Sequence, residues 1–387
     1  MAFMMNVSVL GCTGSIGRQA LDVIRSHRDR FRVTALCARS ASQEILELAH
    51  EFHPEAVGLT DEQKAISIKG GLPEGCELIA GKEASRVIAA WRSAETVVNG
   101  ISGISGMEPL LASLNAGKRV ALANKESIVC GHKLVKDAFE NGGKILPVDS
   151  EQSAIFQCLT AGKKTEVTRL ILTASGGPFR DYTQEQMERI TPKQALCHPT
   201  WNMGKKITVD SATLFNKGLE IIEASYLFDI PGDQIDVLIH PQSIVHSMVE
   251  FLDGSTMGQL SVPDMRLAIQ YALTYPDRIP CPCERLKLQE IGRLTFFEPD
   301  NRKFPAIALA YSALFEGGVM PIVYNGANEA AVDMFLNGRI RYSDIAECVE
   351  YAMTHITGRS ISSAEDIAAI DTEAKRKAAE RAAGKGR

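Results

Sequence analysis

A glycine-spaced turn near the start restricts the fold of this chain more than any other feature. The apolar run at 6–10 leads into Gly11-Cys12-Thr13-Gly14-Ser15-Ile16-Gly17, and a helical pattern over 19–26 follows at once. A strand that turns this tightly into a helix needs glycine. The first permits the turn, and the others let backbone approach a pyrophosphate at the helix N-terminus. Residues 31–37 read as a second strand and 42–51 as a second helix, which completes a βαβ unit. Short strand-like runs recur at 56–59, 96–99, 119–123 and 144–148, with helical stretches between them. The alternation predicts an α/β fold in which a Rossmann-like, doubly wound parallel sheet occupies residues 1–149 as a nucleotide-binding domain.

With 387 residues the chain is too long for one ordinary core. Strand-like runs at 168–173, 234–239, 243–251 and 257–261 surround a helix that the pattern starts after Ser211. They predict an antiparallel, α+β catalytic domain over 150–274. Residues 275–300 are rich in proline and charge and read as a linker. Helical patterns at 306–316, 326–337, 342–355 and from 363 onward predict a C-terminal helical bundle over 301–387.

The net charge of −5 gives no nucleic-acid footprint. Lys375-Arg376-Lys377 and the basic end at 385–387 read as a solvated helix end. Nine scattered cysteines, an odd number, indicate reduced thiols in a cytoplasmic protein rather than a disulfide framework. Cys281-Pro282-Cys283 has no second pair nearby to complete a zinc site. No apolar run approaches the roughly 20 residues of a membrane span. The start of the chain lacks the pattern of a secretory signal, so a cytoplasmic location with no membrane partner is expected.

The end of the second strand bears on the nucleotide. An NAD site calls for an acid there to hold the ribose 2′-hydroxyl. This chain has Arg39-Ser40, and a cation beside a hydroxyl suits the 2′-phosphate of NADP(H), although Arg39 is also compatible with a solvated turn. Asn124-Lys125-Glu126 follows a later strand, where ligands of open α/β sheets bind. Lys125 there either meets the cofactor or forms a salt bridge with Glu126 or another neighbour.

Asp149-Ser150-Glu151 lies where a strand ends and a helix begins. Two carboxylates so spaced can converge on a hard cation; Asp149 as N-cap with Gln152 is the competing, local reading. The stretch 198–224, HPTWNMGKKITVDSATLFNKGLEIIEA, gathers a tryptophan, paired lysines, hydroxyls, Asn216-Lys217 and two glutamates. Asp210-Ser211 reads as the N-cap of its helix. Asn216, Lys217 and Glu220 then share one helical face. Lys217, Asn216 and Ser211 suit a phosphate, and Glu220 suits a metal ion, with Glu223 a rival that spacing does not exclude. Ser175-Gly176-Gly177 suits an anion or a plain turn. Trp201, in a glycine-containing loop, is either a core residue or part of a lid. His240 and His246 read as structural.

The ordered motifs GCTGSIG, ANKES, PVDSEQSAIFQ, SGGPF, the 198–224 stretch, IHPQSIVHSM and PDMR closely resemble the 1-deoxy-D-xylulose 5-phosphate reductoisomerase family. The resemblance runs from about residue 6 to 270 and continues more weakly through NGANEAAVDMFL. It implies conversion of 1-deoxy-D-xylulose 5-phosphate to 2-C-methyl-D-erythritol 4-phosphate, with NADPH and one divalent cation (Mg2+, Mn2+ or Co2+), in the methylerythritol phosphate route to isoprenoids. It implies metal ligands at Asp149, Glu151 and Glu220. It implies phosphate-holding residues at Ser175, Ser211, Asn216 and Lys217 with His198 beside them, and Ser150 on a substrate hydroxyl. Trp201 and Met203 would sit on a flap over about 196–206. Thr13, Gly14, Ser15, Ile16, Arg39, Ser40, Asn124, Lys125, Glu126 and Gly204 would hold NADPH. A homodimer is implied as well. Cys12 and Gly326 stand where the family more often has Ser and Ala. Another NADP-linked sugar-phosphate or semialdehyde oxidoreductase is the alternative, marked by turnover without metal.

Overall fold

The computed structural model describes residues 4–201 and 203–384; the basic end at 385–387 lies outside them. The chain divides into two compact units. One runs up to Ser127 and adds His132–Ser153 and Asp264–Glu284; the other holds Ile128–Gly131, Ala154–Pro263 and the residues from Arg285 on.

The first unit is built on seven strands: β1 (Met5–Leu10), β2 (Phe31–Ala38), β3 (Ala56–Leu59), β4 (Glu77–Ala80), β5 (Thr96–Asn99), β6 (Arg119–Leu122) and β7 (Lys144–Pro147). All neighbours pair parallel, in the order β4-β3-β2-β1-β5-β6-β7. The expected doubly wound sheet is present, with one strand more than the sequence pattern revealed. Glu77–Ala80 is hidden in the sequence because this edge strand is only half-buried and its apolar run, Leu78-Ile79-Ala80, is just three residues long. The central strands β1 and β5 show the near-continuous burial of a sheet covered on both faces. Strand order reverses between them, and ligands bind at such a switch point beyond the carboxyl ends of the strands.

In the second unit β8 (Val167–Ala174), β9 (Ile235–Ile239), β10 (Val245–Phe251) and β11 (Thr256–Leu260) form a sheet in the order β11-β10-β8-β9. The expectation of an antiparallel sheet needs correction. β10 runs antiparallel to β8 and β11, but β8 and β9 are parallel. The helices Lys205–Thr213 and Phe215–Phe228 lie between β8 and β9 in sequence, which gives the long crossover that a parallel pair requires.

The expected boundaries also shift. The Met265–Thr274 helix packs with the Ser15–Ser26 helix and with β6 and β7, so it belongs to the first unit rather than to the central domain. His27 Nε2 lies 3.2 Å from Gln270 Oε1 within that contact. The 275–300 stretch is not a separate linker: Ile239 and Phe297 exchange backbone hydrogen bonds of 2.8 and 2.9 Å, which ties its end to β9. The C-terminal helices Ala306–Glu316, Met320–Leu336, Asp344–His355 and Ala364–Gly384 share a unit with the second sheet, because Ala306–Glu316 packs on Phe215–Phe228. No described helix is long and apolar enough to cross a membrane.

Candidate active site

In the first unit the glycine turn is held by close packing. Gly11 has φ 69°, and a Cβ there would stand 2.8 Å from the carbonyl oxygen of Gly100, so the turns after β1 and β5 touch at the switch point. A Cβ on Gly17 would lie 2.2 Å from the Gly11 carbonyl oxygen. The Ser15–Ser26 helix starts at Gly14, has no side-chain cap and no acid in its first turn. Its first N–H groups and the positive end of its dipole suit an anion. Gly14 and Ser15 are exposed, and Thr13 and Ile16 half-buried. Arg39 and Ser40 follow β2 and are exposed.

Asn124 joins three pieces of backbone. Its Oδ1 accepts from Ser127 N at 2.9 Å and caps the Lys125–Ala138 helix, while Nδ2 donates to the carbonyls of Ile101 (2.7 Å) and Gly103 (2.8 Å) and to Glu126 Oε2 (3.0 Å). Lys125 is buried, with Nζ 2.7 Å from Asp149 Oδ2. A salt bridge to Asp149, a neighbour on the next strand end, is therefore present. Asp149 precedes the Ser150–Cys158 helix; its carbonyl accepts from Ser153 N at 2.8 Å and its Oδ1 from Glu151 N at 3.3 Å. Asp149 thus caps the helix start through the Glu151 N–H. Capping does not exhaust the carboxylate, since each oxygen carries two lone pairs. Ser150 Oγ donates to the half-buried Glu151 carboxylate.

The second unit assembles the rest of the 198–224 motif around a histidine. His198 Nδ1 accepts two backbone N–H groups, from Thr200 at 3.1 Å and Trp201 at 2.9 Å. The ring proton is thereby assigned to Nε2, which lies 3.2 Å from Ser175 Oγ and 3.0 Å from Ser211 Oγ. Burial lowers the imidazole's pKa from its usual value and so favours the neutral ring. Two hydroxyls and an Nε2–H thus meet from three segments. Ser175 comes from the end of β8, where its Oγ also accepts from Gly177 N at 3.2 Å.

The helix expected to start at Asp210-Ser211 starts earlier. Lys205–Thr213 begins at Gly204, Leu214 adopts φ 61°, and a new helix runs from Phe215 to Phe228. Asp210 and Ser211 are interior residues of the first helix, so the expected N-cap is corrected. The break escaped sequence reading because leucine gives no signal for a left-handed conformation. Beyond it, Asn216, Lys217 and Glu220 do share a face. The Asn216 amide and the Lys217 ammonium both donate to the Glu220 carboxylate. Lys217 and Glu220 are 3% and 1% exposed in their side chains, so the solvated-pair reading fails. Glu223 is equally buried.

Trp201 is half-buried, its ring centroid 6.3 Å from that of His246. Met203 is half-buried and Gly204 exposed at the helix start. Gly204 lies in the second unit, unlike every other residue expected to hold the cofactor. His240 is structural as expected: Nδ1 donates to Thr295 O (2.9 Å) and Nε2 accepts from Ile244 N (3.2 Å). Sequence reasoning missed a cluster in which the half-buried Lys206 and the buried Asn328 meet the buried Asp210. The Lys–Asp part was legible as an i,i+4 pair in KKITVD, but its asparagine lies 118 positions away.

Family models described as 1-deoxy-D-xylulose 5-phosphate reductoisomerase match residues 7–132, and two for its C-terminal domains match 145–228 and 260–377. A protein of that name from Pelotomaculum thermopropionicum is 48% identical over 96% of this chain and 97% of its own. The chain belongs to the 1-deoxy-D-xylulose 5-phosphate reductoisomerase family. A relative from Desulfitobacterium hafniense is 50% identical over 90% of this chain and 91% of its own. The reductoisomerase from Zymomonas mobilis, solved in complex with NADPH, superposes with a TM-score of 0.92 at 42% identity, covering 97% of this chain and 98% of that one. A DOX-P reductoisomerase with NADPH, fosmidomycin and magnesium gives 0.91 at 39% identity, with 98% of each chain covered.

Proposed function

We propose that the residues named above divide the work of this family between the two units. The reaction is the NADPH- and divalent-metal-dependent conversion of 1-deoxy-D-xylulose 5-phosphate to 2-C-methyl-D-erythritol 4-phosphate, in isoprenoid biosynthesis. Ser175, His198, Ser211, Asn216 and Lys217 hold the substrate phosphate. The observation that carries this reading is the meeting of Ser175, His198 and Ser211, because a neutral, oriented Nε2–H between two hydroxyls is a preformed receptor for phosphate oxygens. Lys217 supplies charge without further ordering, since Glu220 already fixes it.

Asp149, Glu151 and Glu220 take the metal ion. The donor set fits a hard cation: it consists of carboxylates, with no sulfur or imidazole. When bound, the cation supplies Lewis-acid polarisation of substrate oxygens and NADPH supplies hydride. Ser150 orients a substrate hydroxyl beside Glu151. The uncapped helix start at Thr13, Gly14, Ser15 and Ile16 receives the cofactor pyrophosphate, Arg39 and Ser40 its 2′-phosphate, and Asn124, Lys125 and Glu126 with Gly204 its remaining polar groups. Trp201 and Met203 close over the substrate on the 196–206 flap and exclude water. The phosphate clamp supplies binding energy for that closure.

The protein is a cytoplasmic homodimer in this reading; its nine free cysteines suit a reducing compartment. The test is NADPH oxidation with 1-deoxy-D-xylulose 5-phosphate in the presence of Mg2+ or Mn2+, then with EDTA. Metal-dependent oxidation yielding methylerythritol phosphate is expected. Oxidation that persists in EDTA would favour the metal-independent dehydrogenase instead. Sedimentation tests the dimer.

A further inference from the structure

Asp210 is an anion placed next to Ser211, in a segment that otherwise collects phosphate donors. Its carboxylate is 1% exposed, and its partners are known. Lys206 Nζ lies 2.7 Å from Oδ2, one helical turn earlier, and Asn328 Nδ2 donates to Oδ1 at 2.8 Å from the Met320–Leu336 helix. Asn328 is itself fully buried. The neighbouring carbonyl of Ala212 accepts from the Tyr342 hydroxyl at 2.6 Å. On the opposite strand turn, a Cβ on Gly177 would come within 2.9 Å of the Ser211 carbonyl oxygen, so the backbone of the Ser175 loop lies directly against this helix.

We propose that Asp210 and Asn328 are positioning residues that set the rotation of the Lys205–Thr213 helix about its axis, and through it the Ser211 hydroxyl. Successive helical residues project about 100° apart. Asp210 therefore faces the C-terminal helices while Ser211 faces His198. A side-chain oxygen stands about 5 Å from the axis, so a 10° rotation moves it by about 0.9 Å. That displacement takes a 3.0 Å contact such as His198–Ser211 beyond hydrogen-bond range. The helix ends at Leu214 in a left-handed turn, so it lacks a continuous helix beyond it to hold its azimuth. The buried Asp210–Asn328 contact and the half-buried Lys206 supply that restraint, with Lys206 neutralising the carboxylate beside an anion site.

The inference rests on the reading of Ser175, His198 and Ser211 as the phosphate cradle. Its test uses the full chain and three variants, Asp210→Asn, Asn328→Leu and Ser211→Ala, with inorganic phosphate as competitive inhibitor. Asp210→Asn and Asn328→Leu are expected to raise the phosphate Ki and the substrate KM together by about 5- to 10-fold, a fraction of the loss of one charge-assisted hydrogen bond. kcat is expected to fall less than KM rises. A purely structural role would lower thermal stability without moving the phosphate Ki, and that result in folded Asp210→Asn overturns the proposal. If Ser211→Ala also leaves the Ki unchanged, the cradle reading itself fails. Tyr342→Phe removes only the hydroxyl that holds Ala212. Should the other two variants not fold, it decides the question: about a threefold rise in the phosphate Ki supports helix positioning, and an unchanged Ki refutes it.

Discussion

Replacing Glu220 by Gln separates the structural from the chemical duty of one buried carboxylate. The substitution keeps volume and removes one negative charge at a side chain that is 1% exposed. Two consequences follow. Lys217, 3% exposed, keeps its ammonium but loses its ion pair with Glu220. Breaking a buried ion pair by removing one partner costs about 3–5 kcal/mol, and the remaining amide oxygen holds the cost near the lower figure. The second consequence concerns metal. Loss of an outer partner of a metal ligand already weakens binding roughly 10- to 100-fold, so loss of a charged direct ligand is expected to exceed that. Calorimetric titration with Mn2+ measures the affinity without turnover, and denaturant midpoints measure stability. The double variant Lys217→Met with Glu220→Gln removes both charges. It is expected to recover most of the stability and none of the metal affinity. NADPH binding is expected to persist in both variants. Wild-type Mn2+ affinity in Glu220→Gln would remove Glu220 from the metal site and refute the reasoning.

Other outcomes follow from charge and burial. Arg39→Ala is expected to weaken NADPH roughly 10- to 100-fold and leave NADH nearly unchanged, because one charge-assisted contact to the 2′-phosphate is worth about 1.5–3 kcal/mol; equal loss for both cofactors, measured by fluorescence titration, would place Arg39 elsewhere. Burial pushes the His246 imidazole from its usual 6.5 down to about 4. The unfolded chain then takes up the proton first as pH falls. Stability from this group is complete above pH 6.5 and declines toward pH 4, by at most about 3 kcal/mol. His246→Gln is expected to flatten that part of the pH–stability curve; an unchanged slope in denaturant titrations would show that His246 is not its source.

The long motif of 198–224 made the chemistry legible because its side chains act within one or two helical turns of each other. Asn216, Lys217 and Glu220 needed only helical periodicity, and the structure places them as that periodicity requires. Gly14 and Gly17 were equally local, since the turn's own backbone excludes a Cβ there, whereas Gly11 is also held by the distant Gly100 carbonyl. Lys125 shows where local reading stops. It pairs with Asp149 on the next strand end, 24 positions away, because neighbouring parallel strands bring their carboxyl ends together.

Sequence by itself determined the periodicities, and with them the parallel sheet, the candidate carboxylates and the family. Tertiary structure alone decided which distant residues share a core. It placed Met265–Thr274 with the first unit and the C-terminal helices with the second sheet. It paired β8 with β9 in parallel and broke one expected helix at Leu214. It fixed the proton on His198 Nε2 through two amides of its own loop, and it buried Asp210 against Asn328. The reason is physical. Helix and strand patterns record only which face of a segment is apolar, whereas the partner of a buried polar group is chosen by the packing that excludes water from it.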